Sequence, residues 1–151
     1  MKETLLFFLQ GIPEMTGVIA FSLAIAKIPI NWGKTILVGV IMAVLSYVLR
    51  SLSFFFGLHT LMILFLIMYY ISRSGNVHIV KSFLVTFAGA ITLGVLEYAT
   101  NTTFFLLTGM TQEDLTYNQI LWATLGMPQA ILIILLTIIV SRVFKPEQKG
   151  F

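Results

Sequence analysis

TLLFFLQGIPEMTGVIAFSLAIA, residues 4–26, decides how this chain folds. At about 1.5 Å per residue, such a run spans the roughly 30 Å hydrocarbon core of a bilayer as a helix. Yet it carries Gln10, Pro13 and Glu14 in its interior. A secretory signal would open on basic residues and run on without a charge, whereas here Glu3 cancels Lys2 and a carboxylate sits mid-run. The segment therefore reads as a retained membrane helix.

The rest of the chain agrees. Of 151 residues 58% are hydrophobic and 10% charged, against about 25% charged in an ordinary soluble domain. The mean hydropathy is +0.99. Fifteen charges cannot cover the surface of a soluble domain of this size, so the expected class is an all-α integral membrane protein. Spans are expected over about 4–26, 35–53, 55–72, 82–107 and 119–140, a single transmembrane domain filling residues 1–151. Short loops separate them: KIPINWGK (27–34), RSGNVHIVK (73–81) and the acidic GMTQEDLTYN (109–118). The boundary between spans two and three lies in SLSFFFGLH (51–59), where Gly57 is the one turn residue. A re-entrant bend over 50–58 is the alternative.

Orientation follows from the basic residues. One face of a five-span bundle receives Lys27, Lys34, Arg73, Lys81, Arg142, Lys145 and Lys149, which is seven of the nine. The other receives Lys2 and Arg50 with Glu3, Glu113 and Asp114. The positive-inside bias places the N-terminus outside and the C-terminus in the cytoplasm of a multi-pass cell-membrane protein.

Charged side chains within a bilayer are costly and mark functional sites by default. Three fall inside spans: Glu14, Arg50 and Glu97. Arg50 and Glu97 each lie roughly 22 Å along their helices from the cytoplasmic side, and Glu14 roughly 15 Å from the outer end of span one. An Arg50–Glu97 pair is the natural arrangement, with Glu14 near enough to compete for the arginine. Gln10 accompanies Glu14, and Asn101 accompanies Glu97, each at i,i+4 and so on one helix face. These two faces are expected to look into one cavity and form a ligand-binding or switch site. Pro13 and Pro128 each free a backbone carbonyl, and kinks there would widen an outward pocket. His59 reads as a surface-loop residue. The competing reading is structural: a buried ion pair and interhelical amide bonds also hold membrane bundles together. Gly39 with Ala43, Ala20 with Ala24, and Ala90 with Gly94 are small-residue pairs that permit close helix packing.

Several function classes drop out. Cysteine is absent, which removes disulfides, thiolate nucleophiles and zinc–thiolate or iron–sulfur sites. His59 and His78 have no partner at ligand spacing, so no metal and no cofactor is expected. No Ser–His arrangement, HExxH motif or phosphate loop is present, and an enzyme is not expected. No basic patch lies beyond the short loops, so nucleic acid is not an expected partner.

LMILFLIMYYISR (61–73) and PQAILIILLTIIVSRVF (128–144), with a short basic loop after span one and an acidic loop before the last span, carry a resemblance. Over nearly its whole length the chain resembles the N-terminal membrane-sensor domain of Agr-type peptide-sensing histidine kinases. That resemblance implies an outward-facing site for a small signalling ligand, often a modified peptide, and a cytoplasmic connection to a kinase. Those sensors usually have a sixth or seventh span. Here only about eleven residues follow span five, so a signal would pass through a histidine kinase or another membrane partner. The processing protease that accompanies such sensors is similar in size but needs a catalytic cysteine, which this chain lacks.

The leading expectation is a receptor-like module that binds an extracellular small molecule, lipid or peptide. The alternatives are a proton- or cation-coupled transporter acting as a homodimer with Glu14 as the coupling group, and a scaffold for another membrane protein.

Overall fold

The computed structural model describes residues 1–52 and 57–146. Among them every regular element is helical: α1 (Lys2–Ile25), α2 (Trp32–Ser51), α3 (Leu58–Gly75), α4 (Ile79–Thr108), α5 (Gln112–Tyr117) and α6 (Gln119–Val143). All but α5 are long and apolar enough to cross a membrane. The expected junction of spans two and three falls on 53–56, outside the described residues, as does the middle of the alternative bend. On either side of it α2 runs to Ser51, and Gly57, at φ 93°, precedes α3.

Caps explain where the helices begin and end. The Asn31 side chain accepts from the Lys34 N–H and starts α2 earlier than hydropathy alone implies. His78 Nδ1 accepts from the Val80 N–H at 3.3 Å, so α4 begins inside the stretch read as a basic loop. In the acidic loop, the Asp114 carboxylate accepts from both the N–H and the hydroxyl of Thr111. This closes the short α5 within the stretch expected to be loop. Gly109, at φ 68°, ends α4 in a left-handed conformation that needs glycine.

α1 is the centre of the bundle. It packs against α6, α2 and α4, and more lightly against α3. Every residue from Thr16 to Ala24 is buried, while only Gln10 is buried in the preceding half. The other helices bring Met42, Ile63, Ile67, Ile71, Val85 and Ile133 onto it. A helix can be enclosed on all sides only if small residues let backbones approach, since membrane helices gain little from apolar burial alone. Glycines stand at those contacts. A Cβ on Gly39 of α2 would strike Thr16, one on Gly89 of α4 would strike Ser22, and one on Gly17 of α1 would strike Ile133 of α6. Ser22 and Thr137 hide their hydroxyls by donating to the carbonyls of Val18 and Ile133, each at 2.8 Å.

Gly39, Ala43, Ala20 and Ala24 are therefore packing positions, as their spacing implied. Gly94 is not. A Cβ there would meet nothing within 4 Å. Its missing side chain leaves open space rather than a helix contact.

Candidate functional site

That space belongs to a cavity of about 380 Å³ to which all five long helices contribute. α1 presents Phe7, Gln10, Gly11, Glu14, Met15 and Val18, the i, i+3, i+4, i+7 stripe of a single helix face. α4 presents Ala90, Leu93, Gly94 and Glu97, again one face. Ser46 and Arg50 come from α2, one turn apart. α3 adds His59, Thr60, Ile63 and Ile67, and α6 adds Trp122 and Gln129 at i,i+7. The cavity fronts the half of α1 that the bundle leaves uncovered and ends where Val18 and Ile67 close the core.

Glu14, Arg50, Glu97 and Gln10 thus meet at one cavity. Counted along their helices, Arg50 stands 18 residues beyond Trp32 and Glu97 stands 18 residues beyond Ile79. Each is about 27 Å along the axis, near the far edge of a hydrocarbon core of about 30 Å. Glu14 lies deeper and is partly buried, whereas Arg50 and Glu97 are exposed on the isolated bundle.

The expected Arg50–Glu97 ion pair is not formed: no hydrogen bond or ion pair joins Arg50 to either carboxylate. Glu14 instead lies within electrostatic reach of Glu97 and beside the Gln10 amide. Equal depth does not fix lateral distance, and Arg50 reaches from α2 toward a second space. That second cavity, of about 450 Å³, is lined by Glu3, Thr4, Tyr47, Ser51, Leu115 and Gln119 among others. It shares Phe7, Arg50 and Trp122 with the first, so these three side chains stand where the two spaces adjoin. Phe7 and Phe8 each pack 5.4 Å from the Tyr47 ring, and the Thr4 and Tyr47 hydroxyls lie 3.4 Å apart. This cluster holds α1 to α2 beside Arg50.

Gln10 is closely packed. It is 6% exposed, and its amide is seated against Gly126, where a Cβ would collide with it. Its Oε1 has no hydrogen-bond partner. Gln129 is 4% exposed and makes no hydrogen bond within the described chain. A buried amide oxygen without a partner is costly in a bilayer.

No protein-family model, curated protein or solved structure matches this chain.

Three residues expected at the site do not line it. Asn101 does not line the cavity. It sits 22 residues beyond Ile79, about 33 Å along α4 and past the hydrocarbon thickness, because this helix is longer than a membrane requires. Pro13 and Pro128 lie within uninterrupted helices and line neither cavity. His59 corrects the reading in the other direction: it belongs to the first turn of α3 and faces the cavity rather than a surface loop. It heads the stripe His59, Ile63, Ile67, Ile71, of which the three isoleucines are buried. Gln129, Trp122 and Ser46 were also missed. A glutamine one residue after Pro128, in an otherwise apolar span, was the available signal.

Proposed function

We propose that this chain is a receptor-like module of the cell membrane, with its N-terminus outside and its C-terminus in the cytoplasm. It binds a small extracellular ligand in the cavity bounded by Glu14, Arg50 and Glu97 and signals through a partner protein. The observation that carries this reading is the convergence on one space of three charged side chains, with no ion pair between Arg50 and either carboxylate, and of the buried amides of Gln10 and Gln129, the Gln10 Oε1 having no partner. Its volume falls in the range of about 300–1,000 Å³ found for ligand pockets. Lys27, Lys34, Arg73, Lys81, Arg142 and Lys145 stand at the opposite end, and the positive-inside bias supports an outward-facing cavity end. The buried run from Thr16 to Ala24 of α1 lies in the other direction, which favours binding over a transport path. The resemblance to kinase-sensor domains supplies the kind of partner, a histidine kinase.

The test is thermal unfolding of the purified protein in nanodiscs with a bacterial lipid extract, a metabolite pool and a pool of short peptides. At least one pool is expected to stabilise it. Glu14→Gln is expected to weaken that effect about tenfold or more, the loss of about 1.4 kcal/mol or greater that follows when one charged partner is removed. Absence of stabilisation by all three pools overturns the reading.

A further inference from the structure

Two carboxylates and one guanidinium line the same cavity without neutralising one another. Glu14 and Glu97 approach from α1 and α4 closely enough to repel. His59 is the other titratable group on this cavity, and Glu3 lies beyond Arg50 on the second one. In a medium of low dielectric constant, each uncompensated charge needs an opposite charge or an orienting dipole.

The possible occupants can be sorted by what each leaves unsatisfied. A simple amine would satisfy the carboxylates and leave Arg50 bare. A simple acid would pair with Arg50 and add a third negative group beside Glu14 and Glu97. Only a molecule bearing both charges answers both walls. A primary ammonium carries three donors, suited to two carboxylates and an amide oxygen. Gln129, nine-tenths buried and without a hydrogen bond, lines the same space as Gln10. At the other pole, a guanidinium binds carboxylate or phosphate through paired N–H donors. Trp122, which adjoins Arg50 in both cavities, adds an aromatic face.

We propose that the cavity is a zwitterion site, taking an ammonium between Glu14 and Glu97 and the acid group of the same molecule on Arg50. The ammonium lies deeper, toward Gln10 and Gln129, and the acid lies where the two cavities adjoin. The ligand therefore enters amine-first. This assignment rests on the ligand-binding reading above. Its chemistry is shared by free amino acids and by an ethanolamine phospholipid headgroup.

The experiment uses the full chain in nanodiscs. One arm titrates ω-amino acids from glycine to 6-aminohexanoate, with alkylamines and carboxylic acids of matching length. The other compares discs of phosphatidylethanolamine with discs of phosphatidylglycerol. The expected result is stabilisation by one amino acid, or by the ethanolamine lipid, at least tenfold stronger than by the matched amine, acid or anionic lipid. Glu97→Gln is expected to abolish the advantage of the amine-bearing probe, and Arg50→Gln that of the acid-bearing one. Among the described residues neither side chain makes a hydrogen bond or ion pair, so neither substitution removes one. The arm that responds identifies the source. Equal binding of amine and amino acid overturns the proposal. So does silence in both arms while one of the pools above still stabilises the protein, which leaves the broader reading standing; silence of the pools as well overturns both.

Discussion

Gly39→Val is expected to unfold the bundle at markedly lower temperature or denaturant than the parent, at a cost of about 3 kcal/mol or more. A Cβ at this position lies 3.1 Å from the Thr16 backbone N and Cα, besides striking the Thr16 hydroxyl. A side-chain clash can be relieved by a rotamer, but a backbone clash is relieved only by moving α2 away from α1. α1 is the helix that the others enclose, so the shift propagates to Met42 and Ala43, both buried in α2. With total stabilities of about 5–15 kcal/mol, such a loss is a large share of the whole. Gly94→Val is the matched control. It lies on α4 with open space above it, and replacing helical glycine there is expected to be neutral or stabilising by up to about 1 kcal/mol. Reversible unfolding in mixed micelles measures both, and equal losses from the two variants would contradict the packing described above.

Gly94→Leu is expected to abolish ligand-induced stabilisation while the protein remains as stable as the parent. Gly94 sits one turn from Glu97 and one turn from Ala90, on the face of α4 that fronts the cavity. A leucine projecting there occupies space between Glu97 and the deep wall without touching any charged group's own bonds. Glu14→Gln, by contrast, alters charge and leaves shape intact. Binding that survives Gly94→Leu would place the ligand elsewhere, whatever the effect of the charge substitution.

Much of this was legible in the sequence because helices reveal their faces. Apolar length set the number of long helices, and i,i+4 spacing put Gln10 beside Glu14 on the side where the cavity lies. The level match of Arg50 with Glu97 also follows from helical rise. What helical periodicity lacks is lateral information. It states which residues share a height, not which helices are neighbours or how far apart they stand. Arg50 and Glu97 therefore share a level and a cavity yet form no ion pair.

His59 was hidden by the uncertain start of span three. Once α3 begins at Leu58, its four-residue spacing to Ile63, Ile67 and Ile71 turns it inward. Asn101 shares its helix phase with Glu97 but stands one turn further along α4 and does not line the cavity. Gly94 carried the same small-residue spacing as Gly39. Only the neighbouring helices decide that one glycine admits a backbone and the other opens onto a cavity.

The absence of native cysteine makes the cavity directly measurable. Single cysteines at Gly94, Ser82 and Met110 would be exposed, in intact cells, to a membrane-impermeant maleimide added from outside. Gly94→Cys opens onto the cavity, Ser82→Cys replaces a side chain that is 0% exposed, and Met110→Cys marks the loop expected to face outward. The expected result is labelling at Met110→Cys and Gly94→Cys, protection at Ser82→Cys, and loss of the Gly94→Cys signal when a stabilising ligand is present. Labelling at Met110→Cys with none at Gly94→Cys would mean that Glu14, Arg50 and Glu97 bound no space open to the outside, and would contradict the site itself.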